Sequence, residues 1–239
     1  MTMKALLFDL DGTLIDSMPH HQSAWNTWYA LRGLVMDADF FTSTAGRSNA
    51  EIIFDLFPGH TEAGRAEMAA EKESRYRELA GESLALIGGA DTFVARARGA
   101  GLKLAVCTAS TLPNMALAFA RHGIDGWVDT VVSPADVAPG SGPAVSLRGK
   151  PHPDIFLEAA RRLGVAPADC VVFEDAPLGV EAARRAGMAA VALTTTLPAD
   201  AFAGFDNILA IAPDFMTLAL ADLTTAHRTS AQRKENHDA

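Results

Sequence analysis

Cysteine is scarce in this sequence. Only two of the 239 residues are cysteines, Cys107 and Cys170, and each lies inside an apolar run. This argues against a disulfide framework and against a cysteine-based zinc site. A chain of this length can bury an extensive core without either, and it fits one large domain or a core domain with a smaller inserted one.

Positive charge and long apolar runs are also scarce. There are 20 Lys and Arg residues against 29 Asp and Glu residues, and a net-acidic surface repels phosphate backbones and anionic lipids. No run approaches the roughly 18 apolar residues of a membrane span. Asp9 and Asp11 interrupt the first apolar stretch, which argues against a signal peptide. We therefore expect a cytoplasmic monomer or weak dimer without nucleic-acid or membrane partners.

Over most of the chain, short apolar runs alternate with amphipathic stretches that end at glycine. Continuous apolar runs are typical of parallel strands covered on both faces, and glycine is a common helix stop. The alternation predicts an α/β fold with a doubly wound, Rossmann-like, mostly parallel sheet. The predicted strands are 5–8, 102–107, 130–132, 170–173, 190–193 and 208–211. The predicted core helices are 91–98, 113–122, 153–163 and 178–186.

One stretch interrupts this alternation. Residues 17–87 show helical periodicity and no convincing strand, whereas a simple crossover between parallel strands needs only about a dozen residues. We interpret 17–87 as a helical cap inserted into a core of residues 1–16 and 88–227. The alternative is a set of extra helices packed on the core. The candidate helices are 20–31, 49–57 and 62–79.

Two further segments have a distinct composition. Residues 138–148 are rich in Gly, Pro and Ser, which predicts a loop. Residues 228–239 are polar and without periodicity, which predicts a disordered tail.

The sharpest local signal is the run Asp9-Leu10-Asp11-Gly12-Thr13, directly after the first predicted strand. A carboxylate at that edge is costly unless cationic or hydrogen-bonding partners meet it, and glycine lets the backbone turn there. An ordinary acidic turn is the alternative, because Asp-Gly is a frequent turn dipeptide.

Polar residues also follow other predicted strands. Hydroxyls and backbone N–H groups come after 102–107 and precede a helix, an arrangement that suits an anion. An acidic pair follows 170–173, and a lysine precedes the helix between the two strands. Oxygen-only ligands select a hard cation, and we expect Mg²⁺. These residues are Thr108, Ala109, Ser110, Lys150, Glu174 and Asp175.

This ordered set resembles the haloacid dehalogenase (HAD) superfamily of phosphotransferases over the whole predicted core. The resemblance implies that Asp9 is the nucleophile, Asp11 the general acid and base, and that Thr108 and Lys150 also take part in catalysis. Because Asp11 is present, the set departs from the dehalogenases and phosphonate hydrolases of the superfamily. The implied metal ligands are Asp9, Asp11, Glu174 and Asp175. The implied phosphate-binding residues are Gly12, Thr108, Ala109, Ser110 and Lys150.

The helical insert resembles the cap of the β-phosphoglucomutase-like branch, which includes sugar phosphatases. By this resemblance His21 orients the acid and base, Arg47 grips a distal phosphate or sugar, and Lys72 faces the substrate. Lys72 lies on a highly charged helix, so a solvated face is the alternative interpretation for it.

These observations together predict a Mg²⁺-dependent phosphatase that acts on a small phosphate ester, a sugar phosphate by preference, through an aspartyl-phosphate. Two alternatives stay open. One is a β-phosphoglucomutase, which moves phosphate between sugar positions on the same core. The other is a catalytically silent regulatory or binding protein with the same fold.

Overall fold

A computed structural model describes residues 2–134 and 147–237. Its strands form one sheet in the order β3-β2-β1-β4-β5-β6, and every pair of neighbours is parallel. The predicted α/β fold is therefore confirmed. The strands are β1 Ala5–Phe8, β2 Lys103–Cys107, β3 Thr130–Val132, β4 Cys170–Glu174, β5 Ala189–Leu193 and β6 Ile208–Ala212.

The helices cover both faces of this sheet and fill the interval after β1. The predicted core helices are confirmed to within a residue at each end. The helices are α1 Met18–Leu31, α2 Phe40–Thr44, α3 Asn49–Leu56, α4 Glu62–Ala80, α5 Ala90–Gly99, α6 Leu112–His122, α7 Asp154–Leu163, α8 Pro177–Arg185 and α9 Leu220–His237.

Each face of the sheet has its own apolar cluster. Alternate residues of a strand point to opposite faces. Leu6 and Phe8 of β1 therefore pack with α5, α6 and α9, while Ala5 and Leu7 pack with α7 and α8. All of β1 is buried, which explains why the strand reads as a continuous apolar run.

Helices α1 to α4 occupy the interval predicted to be a cap. They share an apolar cluster that is separate from those of the sheet and contains Trp25, Trp28 and Phe40. However, Tyr76 and Ala80 of α4 join the cluster on one face of the sheet. The division into a core and a cap at 17–87 thus stays a prediction. Helix α2 was not predicted, because five residues are too few to show a helical period.

The two chain segments that connect these helices to the sheet pair with each other. The backbone N–H of Asp16 donates to the carbonyl of Ala85 at 2.9 Å, and that of Ile87 donates to Leu14 at 3.0 Å. Ile15 and Leu86 form an antiparallel bridge between them. We call residues 14–16 and 85–87 the paired linkers.

Helix α9 continues through His237 and so enters the segment 228–239, for which a disordered tail stays a prediction. The helix begins on firm packing, since Leu223 is buried and His227 Nε2 lies 3.0 Å from the carbonyl of Ala168. Once a helix is nucleated, each further residue adds a hydrogen bond, so a polar segment can extend it without apolar periodicity.

Parts of two predicted segments are not among the described residues. Residues 138–146 of the predicted loop, and 238–239 of the predicted tail, lie outside the described residues. Within the described part of the chain, no helix combines the length and the apolar character needed to cross a bilayer.

Candidate active site

The carboxyl ends of β1, β2 and β4 open into a cavity of about 520 Å³. Helices of the 17–87 insert form its opposite wall. Of the predicted site residues, all of which the structure describes, only Gly12 does not line the cavity. Those that line it are Asp9, Asp11, His21, Arg47, Lys72, Thr108, Ala109, Ser110, Lys150, Glu174 and Asp175.

Lys150 lies between two buried carboxylates at the base of the cavity. Its Nζ donates to Asp9 Oδ1 and lies 2.5 Å from Glu174 Oε1. Burial lowers the pKa of this ammonium, but the charges of Asp9 and Glu174 outweigh that effect and raise its pKa above the ordinary value. Lys150 is therefore a permanent positive charge beside Asp9.

A metal can bind where Asp9, Glu174 and Asp175 meet. One carboxylate oxygen from each lies within 4.8 Å of the others, and all three residues are buried. Burial raises the pKa of Asp9, and it raises the pKa of Glu174 to about 8 and of Asp175 to about 7. Among these residues and Lys150, three carboxylates face one ammonium. Uncompensated negative charge and an oxygen-only donor set fit a hard divalent cation.

Asp175 is held at both oxygens by hydroxyl groups. Thr13 Oγ1 donates to Oδ1 at 3.2 Å, and Thr196 Oγ1 donates to Oδ2. Thr196 follows β5, the strand next to β4 in the sheet. Sequence reasoning did not find Thr196, although three threonines at 194–196 directly follow the predicted strand 190–193 and were an available signal.

Gly12 lies behind Asp175. It has a φ of 77°, and a Cβ atom there would collide with the Asp175 carboxylate and with Thr196 Oγ1. Its carbonyl accepts a hydrogen bond from Thr195 Oγ1 at 2.5 Å. The structure therefore explains this glycine by close packing and backbone conformation, and a role in phosphate binding stays a prediction.

Asp11 is next to a histidine from the insert. Asp11 Oδ1 lies 3.5 Å from His21 Nε2, and His21 Nδ1 lies 2.7 Å from Lys72 Nζ. An ammonium only donates hydrogen bonds, so Nδ1 accepts and the proton of a neutral His21 is on Nε2, facing Asp11. Burial and then the charge of Lys72 lower the pKa of His21, which favours this neutral form.

The surroundings of Asp11 favour its ionised form. Burial raises the pKa of Asp11, but hydrogen bonding and charge from His21, together with hydrogen bonds from Ser17 and Ser110, lower it below the ordinary value. Asp9, two residues earlier, has the opposite shift. The two aspartates of one short motif thus have different protonation tendencies, because they have different neighbours.

Lys72 is fully buried, so the alternative of a solvated face is wrong. Its Nζ lies 5.2 Å from the centre of the Trp25 ring, and burial lowers its pKa. Helix α4 is highly charged, yet Lys72 lies on the side that faces the cavity. Arg47 also lines the cavity and forms an ion pair with Asp55 at 2.6 Å.

The segment Thr108-Ala109-Ser110 connects β2 to the start of α6. The N–H of Ser110 donates to Thr108 Oγ1 at 3.0 Å, and all three residues line the cavity. The N-terminus of a helix carries partial positive charge and free N–H groups. This side of the cavity therefore suits an anion.

Comparison with known proteins agrees with this geometry. Residues 3–187 match the family of haloacid dehalogenase-like hydrolases. The chain belongs to this family. Hexitol phosphatase A of Escherichia coli is 34% identical over 202 residues, which are 84% of this chain and 86% of that protein. The β-phosphoglucomutase of Bacillus subtilis is 31% identical over 197 residues, 79% of this chain and 82% of that protein.

Solved structures of HAD-like proteins have the same fold. A variant of CbbY from Rhodobacter sphaeroides, in complex with xylulose-(1,5)bisphosphate, has a TM-score of 0.74 and 30% identity. The match covers 92% of this chain and 99% of CbbY. A HAD hydrolase from Entamoeba histolytica has a TM-score of 0.82 at 24% identity, over 95% of this chain and all of that one, and shows the fold alone. The predicted family and enzyme class, a HAD-type phosphoric monoester hydrolase, are confirmed.

Proposed function

We propose that this HAD-like hydrolase is a Mg²⁺-dependent sugar phosphatase that works through an aspartyl-phosphate on Asp9. The observation that carries the proposal is the buried cluster of Asp9, Lys150, Glu174 and Asp175 beside Asp11. Burying these charged groups costs folding free energy. A role in the attack on a phosphate ester explains why the protein contains them.

The first step has to overcome charge repulsion. A carboxylate approaching a phosphate dianion at 4 Å costs about 8 kcal/mol at an effective dielectric near 20, which would slow the step by about six powers of ten. Lys150 offsets part of this charge. Mg²⁺, held by Asp9, Glu174, Asp175 and the Asp11 carbonyl, would supply two further positive charges.

Asp9 attacks phosphorus, and the bond from phosphorus to the sugar oxygen breaks. Asp11 gives a proton to the leaving oxygen, which departs as a sugar hydroxyl. The pKa of Asp11 is low without substrate, but a phosphate dianion nearby raises it, because negative charge disfavours an ionised carboxylate. Thr108 hydrogen-bonds the phosphoryl group during the transfer.

In the second step, water attacks the aspartyl-phosphate. Asp11, now ionised, takes a proton from that water, inorganic phosphate leaves, and Asp9 is restored. His21 keeps Asp11 oriented through its Nε2 proton. The low pKa of Asp11 suits this step, since a base must be deprotonated before it acts.

The preference for a sugar phosphate rests on the cap side of the cavity and on the relatives. Arg47, which lines that side, can bind hydroxyls or a distal phosphate. Fructose-1-phosphate phosphatase of Escherichia coli is 33% identical over 189 residues, 78% of this chain and 94% of that protein. The similarity to β-phosphoglucomutase makes a mutase the second candidate. In a mutase, a sugar hydroxyl rather than water would accept the phosphoryl group.

The test is phosphate release from a panel of hexose, hexitol and nucleotide monophosphates, with Mg²⁺ and with EDTA. We expect release from at least one sugar or hexitol phosphate, loss of activity in EDTA and recovery on adding Mg²⁺. Glucose 1-phosphate with its bisphosphate tests the mutase, because formation of glucose 6-phosphate without free phosphate would contradict hydrolysis. A wild-type protein as inert as Asp9→Asn on the whole panel would favour a silent binding protein.

A further inference from the structure

One asparagine connects the insert to the sheet side of the molecule. Asn114, near the start of α6, donates from Nδ2 to Glu73 Oε2, and its Oδ1 accepts from Arg77 Nη1 at 3.0 Å. Glu73 and Arg77 are one turn apart on α4, so they present an acid and a cation side by side. An asparagine amide, with a donor on one side and an acceptor on the other, matches this pair. We call these three residues the Asn114 clamp.

The clamp is buried against the cavity. Asn114 is 2% exposed and Glu73 is 6% exposed, and all three residues line the cavity. Buried polar groups require partners, and here each of them finds its partner across the boundary between α4 and α6. When the helices separate, water can replace these partners, so the net strength of each hydrogen bond is modest. The contact therefore fixes the position of α4 relative to α6.

The clamp continues to Asp11 through polar contacts. Glu73 Oε1 lies 3.3 Å from Lys72 Nζ, which in turn lies 2.7 Å from His21 Nδ1. His21 Nε2 lies 3.5 Å from Asp11 Oδ1. The position of α4 thus decides where Lys72 lies, and the contact with Lys72 decides which nitrogen of a neutral His21 carries the proton.

We propose that Asn114 is a positioning residue for phosphoryl transfer, because its bonds to Glu73 and Arg77 hold α4 in the arrangement that keeps Lys72 and His21 aligned with Asp11. Asn114 takes no part in bond making. This inference rests on the proposed function for its kinetic consequence, but the contact itself can be tested without turnover.

The test reverses the polarity of one hydrogen bond. Asn114→Asp keeps the acceptor that faces Arg77 but replaces the donor that faces Glu73 with an acceptor. Glu73→Gln keeps an acceptor for Lys72 but can place a donor toward Asn114. Each single variant is mismatched, whereas the double variant has a donor opposite an acceptor again.

The first readout is kcat for p-nitrophenyl phosphate with Mg²⁺. We expect each single variant to lose about tenfold or more in kcat, since a mispaired buried polar group is costly. The double variant should be faster than both single variants. Two residues that act independently cannot give this result, because their losses would multiply.

The second readout is hydrogen exchange at the amides of Asp16 and Ile87, which are bonded within the paired linkers. We expect faster exchange in each single variant and recovery in the double variant. The matched controls are Glu78→Gln and Asn26→Asp, which make the same chemical changes at exposed positions of α4 and α1. These should keep the wild-type kcat and the wild-type exchange.

A double variant that is no faster than the faster single variant overturns the proposal, as do single variants with the wild-type kcat and exchange. If the wild type releases no phosphate from any ester, the proposed function fails, and the exchange pattern alone decides for or against the clamp. If Asn114→Asp does not fold, Arg77→Gln replaces it. Faster linker exchange in that variant supports the clamp, and wild-type exchange overturns it.

Discussion

The two walls of the cavity are built in different ways. On the sheet side, Asp9, Glu174 and Asp175 lie at or just beyond the ends of parallel strands, and backbone ladders hold the strands in register. On the insert side, His21 of α1 contacts Lys72 of α4, and Lys72 also contacts its neighbour Glu73. The residues proposed for phosphoryl transfer on the sheet side are thus positioned by paired strands. The alignment of His21 with Asp11, by contrast, rests on side-chain contacts within and between helices of the insert.

The largest effect should come from the proposed nucleophile, Asp9, on the sheet side. Asp9→Asn removes the attacking oxygen charge, so we expect kcat to fall about 10⁴-fold or more. The thermal midpoint should be unchanged or higher, because the variant removes a buried charge from an acidic cluster. Phosphate release and calorimetry measure the two quantities. Asp91→Asn at an exposed site is the control, and an Asp9→Asn variant whose kcat stays within about tenfold of the wild type would mean that another group attacks phosphorus.

The second-largest loss of activity should come from a substitution at Gly12, also on the sheet side. Gly12→Ala adds a Cβ atom that collides with Asp175, at a φ of 77°. A group at a reacting site displaced by about 1 Å can cost about 10²-fold in rate. Because Asp175 is a proposed metal ligand, we expect at least that loss in kcat together with weaker Mg²⁺ binding. Gly99→Ala is the control, because a Cβ atom there meets open space. Mg²⁺ titration of both variants, followed by calorimetry, gives the comparison. Equal Mg²⁺ affinity in the two would remove the packing explanation for Gly12.

A change on the insert side should cause a smaller loss of activity, without a loss of Mg²⁺ affinity. Lys72→Met keeps the buried chain but removes the donor to His21 Nδ1, so His21 is free to adopt the other tautomer and Asp11 loses its donor. We expect kcat to fall about tenfold to a hundredfold, at or below the lower end of the roughly 10²–10⁴-fold typical of general acid–base catalysis, because Asp11 itself is kept, and we expect unchanged Mg²⁺ affinity. Lys103→Met, at an exposed site on β2, is the control. A loss as large as that of Asp9→Asn would erase the distinction between the two walls.

Thr196, which lies behind Asp175 on the sheet side, should have a milder effect on activity. Thr196→Val removes the hydroxyl that donates to Asp175 Oδ2 but keeps the shape of the side chain. Partners of metal ligands typically contribute about tenfold or more to metal affinity, and we expect a tenfold weaker Mg²⁺ affinity with kcat nearly unchanged at saturating Mg²⁺. Thr225→Val on an exposed face of α9 should behave as wild type. An unchanged affinity in Thr196→Val would show that Thr13 alone orients Asp175.

The smallest effect should come from an ion pair outside both walls. Hydrogen bonds from Arg161 and then Arg162 lower the pKa of Glu158 to about 2. Because the pKa of Glu158 is lower in the folded protein than in the unfolded chain, its ionised carboxylate stabilises the folded protein at pH values above the unfolded pKa. This contribution is lost as the pH falls through about 2. We expect Glu158→Gln to lower the free energy of unfolding by about 0.5 kcal/mol at neutral pH. Urea denaturation at pH 7 and below pH 3 would show whether the difference shrinks on acidification.

The sheet side was predictable because its signals are local. β1 and β3 have the predicted bounds, and the other strands differ from theirs by one residue. A parallel strand that is buried on both faces is apolar along its length. In open α/β sheets, ligands bind at the carboxyl ends of the strands. The acidic motif at Asp9 and the pair at Glu174 therefore stand out at the ends of apolar runs.

The insert side was less predictable because its roles depend on neighbours far away in sequence. Lys72 is surrounded by charged residues in sequence, and nothing local indicates that it points into a cavity. Asn114 carries no motif, and its partners are on another helix, 41 and 37 positions away. The helical tail after Leu223 was missed for a related reason, since its start is anchored by tertiary packing against residue 168.

The sequence by itself determined the parallel α/β sheet and the oxygen-rich set at its edge, because strand burial and turn chemistry act over a few residues. The tertiary structure alone decided that the pKa values of Asp9 and Asp11 shift in opposite directions, that Thr196 supports Asp175, and that Asn114 joins α6 to α4. Those properties come from charges and hydrogen bonds between distant segments. Their energies depend on distances that only the folded chain establishes.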